Sequence, residues 1–387
     1  MAEAPPAPPF TTLGDLEEAA RARLTTALWD YVAGGAGTER SLRANREAFD
    51  RRVLRPRVLR DLRRVDPSTT LLGARVSAPF FVAPTAYHGA VHPDAEPGTA
   101  RAAAAAGILA AFSTLSSRSL EEIAAASGAA PRWFQYYLQP DPAIGARLLE
   151  TAERHGYRAL VLTVDAPVLG GRDRQMRTGF AWEVPAPIGT GAGVVSPARG
   201  PDREGDVFRF RAETGTTWET LRELVGATRL PVVVKGILTA EDAELAIRAG
   251  ARGLVVSNHG GRQLDGVPAT LDVLPEVAQA VGGRAEVYLD GGVRRGSDVL
   301  RALALGARGV GLGRPVLWGL AVDGSAGVAR VLDLLGTELA ISMALAGCRS
   351  VAEIGRDLVE APPPRPRPRR PRAPERVRRT PGPRHRP

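Results

Sequence analysis

Short apolar runs alternate with helical periodicity along most of this chain. Runs at 80–83, 108–113, 133–137, 159–164, 232–235, 254–257, 286–290 and 309–313 have the length of buried strands. Stretches with apolar residues three and four apart lie between them, at 141–155, 239–249, 270–281 and 296–306. Eight strand–helix units predict a closed (β/α)8 barrel in the α/β class, with an open doubly wound sheet as the alternative. Helices are also predicted over 11–32, ending at the glycine-rich 33–37, over 39–49, and over 322–345 before Gly347. The connection from Asp165 to about Trp218 is long and rich in Gly, Pro and charge, as expected of a lid or binding loop.

Each of the eight apolar runs ends in polar or small residues, and a barrel keeps its chemistry at the carboxyl ends of its strands. The clearest corner is 253–266, GLVVSNHGGRQLDG, where a buried run breaks into His259, two glycines and Arg262. An imidazole moves a proton near neutral pH, and a guanidinium forks onto a carboxylate. Together they point to a carboxylate-bearing substrate that loses a proton or hydride beside that group. DGGVR at 290–294 and GLGR at 311–314 end the last two runs. Their glycine N–H groups and arginines form the usual phosphate site of a barrel. No GxGxxG follows an early strand, which argues against NAD in its usual fold. The five histidines (88, 92, 155, 259, 385) have no ligand spacing, so no metal site is expected.

Composition changes this picture in three places. First, the net charge of +9 comes from the end of the chain. Residues 361–387 carry ten arginines against Glu375, and the other 360 residues are neutral. With ten prolines as well, 361–387 is expected to be disordered, as are the Pro/Ala-rich residues 1–10, leaving 11–360 as one folded domain. The tail has no aromatic residue to stack on bases, so specific nucleic-acid binding is not expected. A binding module whose tail recruits an acidic partner is the rival from another class. Second, 50 of the 51 basic residues are arginine. The one lysine, Lys235, ends an apolar run, where a compact ammonium does what a planar guanidinium cannot. Third, Cys348 is the only cysteine, which excludes an intrachain disulfide and fits a reducing compartment. No run is long enough for a transmembrane helix, and the first residues lack the marks of a secretory signal, so a cytoplasmic protein is expected.

The stretch SNHGGRQLDGVPAT, 257–270, closely resembles the signature of the FMN-dependent α-hydroxy-acid oxidases and dehydrogenases, and DYVAGGAGTERSLRANREAF, 30–49, resembles that family's N-terminal segment. The resemblance spans about 13–357. It implies FMN, held by Pro84, Thr85, Ala86, Ser113, Gln135, Thr163, Lys235, Ser257, Asp290, Gly291, Gly292, Arg294, Gly313 and Arg314. Lys235 then lies near the pyrimidine edge of the ring. It implies His259 as catalytic base, paired with Asp165. Arg262 and Arg172 are implied to hold the substrate carboxylate, and Tyr31 and Tyr137 to line the site. Where the family often has two adjacent arginines, this chain has Gly171-Arg172.

Leu115 stands where plant glycolate oxidases carry a bulky aromatic residue, which leaves room for a larger substrate. STLSSRSLEEIA (113–124), AGGAGTE (33–39) and PTAYHG (84–89) are similar to actinobacterial 4-hydroxymandelate-type oxidases. An aromatic (S)-2-hydroxy acid, mandelate or 4-hydroxymandelate, is therefore the expected substrate. Ala86 stands where oxidases of the family commonly have alanine, which implies O2 as acceptor and H2O2 as product. A homotetramer is the expectation the family carries. The alternatives are a glycolate or lactate oxidase, the same chemistry with another acceptor, or a monooxygenase that releases the oxo acid decarboxylated.

Overall fold

The structure, a computed structural model, describes residues 10–180 and 215–360. Its centre is a closed barrel of eight parallel strands in sequential order. They are β1 (Phe80–Val82), β2 (Leu109–Ser113), β3 (Arg132–Tyr136), β4 (Leu160–Thr163), β5 (Val232–Ile237), β6 (Gly253–Val256), β7 (Glu286–Asp290) and β8 (Gly309–Leu312). β8 pairs with β1 from Val310 opposite Phe80, which closes the ring. The chain is thus a (β/α)8 barrel, not an open sheet, and each strand lies within a few residues of its expected run. The predicted tail and most of the N-terminal stretch lie outside the described residues, as does 181–214 of the long loop.

The strands are mostly apolar because both faces are covered. Outward residues such as Phe80, Val82, Phe134 and Leu254 pack under the helices. Inward residues Phe81, Leu109, Trp133, Val161, Val233, Val255 and Tyr288 form a separate inner core. Its three aromatic rings meet edge-on or tilted, with centroids 5.2–5.7 Å apart. A hairpin, Thr69–Leu71 with Ala74–Val76, plugs the amino end: Leu71 and Val76 join the inner core. The filled amino end leaves only the carboxyl end of the barrel open to a ligand.

Two predicted elements change on inspection. The helix expected over 11–32 is two helices, α1 (Leu13–Arg23) and α2 (Thr26–Ala33). Leu24 turns extended, and the Thr25 hydroxyl caps α2 by accepting from Leu28 N at 3.3 Å. A cap satisfies orphan N–H groups at the helix start, so the threonine pair reads better as a boundary than as an interior. The last helix, Arg314–Ala346, begins right after β8 and is broken at Asp323 and Gly324, which have non-helical backbone angles. A third N-terminal helix, α3 (Arg40–Asp50), packs against the loops after β6 and β7, to which it supplies Asn45 and Arg46. The long loop after β4 contains the helix Asp173–Thr178.

Candidate active site

β5 is bulged between Lys235 and Ile237, at Gly236. Gly236 has φ of +117°, and a Cβ there would come within 2.6 Å of Asp165 Cβ. Glycine therefore lets the end of β4 press against β5, which brings Asp165 under the β6 corner. The His259 Nδ1 lies 2.9 Å from Asp165 Oδ1. Burial pushes the His259 pKa below its ordinary value, against the pull of the Asp165 charge, so the ring is held neutral. Asp165 is itself held below the usual carboxylate range: its burial raises it, and His259 and Lys235 outweigh that.

Lys235 is buried beside them. Its Nζ donates to Ser257 Oγ at 2.9 Å, and that hydroxyl donates to Asp290 Oδ1 at 2.7 Å. Asp290 Oδ2 stands 3.3 Å from the ammonium. Burial lowers the lysine pKa, but Asp290 and Asp165 more than compensate, and the group stays charged. Ser257 also accepts from His259 N at 3.1 Å, so one hydroxyl links the lysine to the histidine loop.

Two guanidiniums face the histidine. Arg262 donates to the carbonyls of Tyr31 (2.7 Å) and Gly34 (2.9 Å) and lies over the Tyr31 ring, 5.1 Å from its centroid. Arg172 has been pushed down to about 9 by burial and by the neighbouring Arg262 charge. Among the described residues neither has a carboxylate partner, so the pair suits an anion. Tyr137 has its pKa raised by burial and by Asp165, so its phenol stays protonated.

These groups line one cavity of about 320 Å³ at the barrel mouth, within the range of small-molecule sites. It brings together all the residues expected from the sequence except Ser257 and Asp165, which stand directly behind Lys235 and His259. At its far end Arg294 stacks on the Trp318 ring at 4.6 Å, and burial holds its pKa down to about 10. Arg314 donates to the carbonyls of Val32, Gly34 and Gly260, and burial also lowers it strongly. The glycine-rich 33–37 thus does more than stop a helix: the Gly34 carbonyl receives both Arg262 and Arg314.

The residues fit FMN. Two half-buried guanidiniums without a carboxylate partner among the described residues suit a phosphate, and Gly291 and Gly292 expose backbone beside them at positive φ. Gln135 Nε2 is buried without a partner among the described residues, while its Oε1 accepts from Ser113 Oγ at 2.9 Å, which leaves an amide donor for a ring carbonyl. Lys235 places a positive charge on the same wall.

Sequence reasoning missed several lining residues. Tyr87, in the left-handed region at φ +60°, faces Tyr31 with ring centroids 6.2 Å apart. Phe180 stacks on Tyr31 at 4.5 Å, and Val168 and Leu169 add apolar wall. Gln263 donates to the carbonyls of Asp165 (3.1 Å) and Val168 (2.8 Å) and so ties the loop after β4 to the histidine corner. A tyrosine directly after a strand-end Thr-Ala was a usable signal for Tyr87. Phe180 lies deep in a loop with no periodicity to mark it.

Comparison with known proteins agrees. Residues 20–361 match the FMN-dependent dehydrogenase family. The chain is 48% identical over 351 residues to 2-hydroxyacid oxidase 2 of Homo sapiens, covering 90% of this chain and 97% of that one. It is 42% identical over 355 residues to glycolate oxidase of Spinacia oleracea, covering 91% and 96%. A mandelate oxidase structure with benzoyl-formic acid superposes with a TM-score of 0.81 at 45% identity, covering 91% of this chain and 98% of that chain. The chain belongs to the FMN-dependent dehydrogenase family and is an FMN-dependent oxidoreductase of 2-hydroxy acids.

Proposed function

We propose that this protein oxidises an aromatic (S)-2-hydroxy acid of the mandelate type to the 2-oxo acid and passes the electrons to O2, giving H2O2. The observation that carries the chemistry is His259, bonded to Asp165, on the wall of the same cavity as Arg172 and Arg262. The bound flavin supplies the two-electron acceptor. Arg172 and Arg262 take the substrate carboxylate in a fork and fix the 2-carbon against His259. His259 Nε2, free while Nδ1 is held by Asp165, receives the substrate proton. The Asp165 carboxylate then balances the imidazolium. Lys235, held charged, would supply a positive charge beside the cofactor ring. Tyr137 donates its phenolic proton as a hydrogen bond near Arg172.

The aromatic assignment rests on the walls. Leu115, Val168 and Leu169 are apolar and of moderate size, and Tyr31, Tyr87 and Phe180 add aromatic faces, so the space beside the carboxylate site suits a phenyl ring. The likeness to mandelate oxidase structures, one with benzoyl-formic acid, supports it. Ala86, on the cavity wall, supports O2 as acceptor through the family pattern.

The test is anaerobic mixing with mandelate, 4-hydroxymandelate, lactate and glycolate in turn, following the visible flavin absorption, and then admission of air. Bleaching is expected with the aryl acids, followed by rapid recovery. A preference for lactate or glycolate of more than about tenfold in kcat/KM overturns the aromatic assignment. Bleaching without recovery in air overturns the oxidase assignment.

A further inference from the structure

The residue before the base is as constrained as the base itself. Asn258 is buried, and its amide pairs reciprocally with that of Asn45 on α3. Asn45 Nδ2 donates to Asn258 Oδ1 at 2.8 Å, and Asn258 Nδ2 donates back to Asn45 Oδ1 at 2.9 Å. Both amides make further bonds. Asn258 Oδ1 accepts from Gly261 N at 3.0 Å, and its Nδ2 reaches the Pro268 carbonyl at 3.2 Å. Asn45 Oδ1 accepts from Thr270 N at 3.3 Å. The two backbone donors require oxygens at those positions, which fixes the orientation of both amides.

This pair sits where strain has to be held. His259 has φ of +57°, a conformation that a non-glycine residue keeps only when its surroundings over-determine it. Gly261 N, two residues on, donates to both the carbonyl and the side chain of Asn258, at 2.9 and 3.0 Å. Asn258 therefore clamps the turn that His259 occupies. The other half of the pair reaches the phosphate loop. Gly292 has φ of +87°, and a Cβ there would collide with the Asn45 backbone carbonyl. Arg46, next in α3, donates to the Gly292 carbonyl. Thr270, bonded to Asn45, also donates its hydroxyl to the Asp290 carbonyl at 2.7 Å.

We propose that the Asn45–Asn258 amide pair is a positioning device for the reaction: it holds His259 in its left-handed conformation against Asp165 and registers that turn to the loop that carries Gly292. The proposal rests on His259 being the base. Asn45 touches neither substrate nor cofactor on this reading, and it acts only through Asn258 and the Gly292 loop. A misplaced base slows proton removal while leaving the arginine fork, and so substrate affinity, in place.

The experiment is single-turnover anaerobic reduction of the FMN-loaded protein by mandelate, with Asn45→Ala, Asn258→Ala, the double variant and Asn45→Asp. Asn45→Asp keeps the acceptor for Thr270 N and serves where Asn45→Ala does not fold. Leu224→Ala, in the distant helix Trp218–Ala227, is the control for general destabilisation. Each single variant at the pair is expected to lower the limiting reduction rate at least about tenfold with the substrate Kd little changed. The double variant is expected to be no slower than Asn258→Ala, because both changes break one unit. Leu224→Ala is expected to lose Tm and keep its reduction rate. Wild-type reduction rates in the Asn45 variants, or effects of the two alanines that multiply, overturn the proposal. His259→Asn separates the two readings: if it reduces as fast as wild type, the base assignment fails, whatever the Asn45 variants do.

Discussion

Asp165 Oδ1 accepts from His259 Nδ1 at 2.9 Å, while Asp165 Oδ2 is buried with no partner among the described residues. The carboxylate holds Nδ1 of the ring, which leaves Nε2 as the basic nitrogen for the substrate. Burial lowers the His259 pKa, Asp165 raises it, and Lys235 and Arg172 lower it. The base works when neutral, so kcat/KM is expected to rise with pH through a midpoint below the ordinary imidazole value of about 6.5. Asp165→Asn removes the one raising influence, so its midpoint is expected at still lower pH. The imidazolium formed in the reaction also loses its counter-charge, and kcat is expected to fall on the order of 10²–10⁴-fold. A pH profile of both enzymes checks this; a midpoint that moves up in Asp165→Asn contradicts the arrangement.

Lys235 is the one lysine of the chain, and it is buried against Ser257 and Asp290. Held charged and out of solvent, it is expected to resist an amine-reactive reagent that modifies the α-amino group, and to react once the protein is denatured. Peptide mass spectrometry reads the two sites separately. Lys235→Met is expected to slow flavin reduction on the order of 10²–10³-fold, the scale for removing one group aimed at developing charge. It also leaves Asp290 without its cation, so a lower Tm is expected as well.

The barrel was legible in the sequence because strands covered on both faces read as plain apolar runs. The corner at His259 and Arg262 was legible because polar residues interrupted such a run. Gln135 and Thr163 stood out only as polar residues at strand ends, and the family signature then implied a cofactor role for them. The break between α1 and α2 was hidden because periodicity continues across Leu24, and only the capping hydroxyl of Thr25 decides it. Asn45 was invisible for another reason. It looks like a polar position on an amphipathic helix, and its partner Asn258 is 213 residues away. Tyr87 and Phe180 come from loops, where side-chain direction is set by tertiary contacts and not by period.

Arg294 and Arg314 bear on the phosphate end of the cofactor. Arg294 is stacked on Trp318 and, among the described residues, bonds only to the Val293 carbonyl, at 2.9 Å. Most of its donors are therefore free for an anion. A charge-assisted hydrogen bond contributes about 1.5–3 kcal/mol, so Arg294→Ala is expected to weaken FMN binding roughly tenfold to hundredfold. Riboflavin, which lacks the phosphate, is expected to bind both proteins equally. Titration of the apoprotein by flavin fluorescence gives both constants, and an equal loss for the two flavins contradicts a phosphate role.

Leu115 tests the substrate assignment most directly. Its backbone is fixed at both ends: its N–H donates to Ser113 Oγ at 3.0 Å, and its carbonyl accepts from Tyr87 N at 3.1 Å. Ser113 in turn donates to Gln135 Oε1, so the loop is anchored to the cofactor side of the cavity. A change at Leu115 therefore acts through side-chain volume and not through loop movement. Leu115→Trp fills the space proposed for the phenyl ring and leaves the arginine pair and His259 in place. The kcat/KM for mandelate is expected to fall at least about tenfold, the scale of a steric change in an apolar pocket, while that for glycolate holds or rises. Equal losses for both acids would mean the tryptophan disturbs the cofactor side. An unchanged mandelate value would mean the aryl group lies elsewhere, against Tyr87 and Phe180.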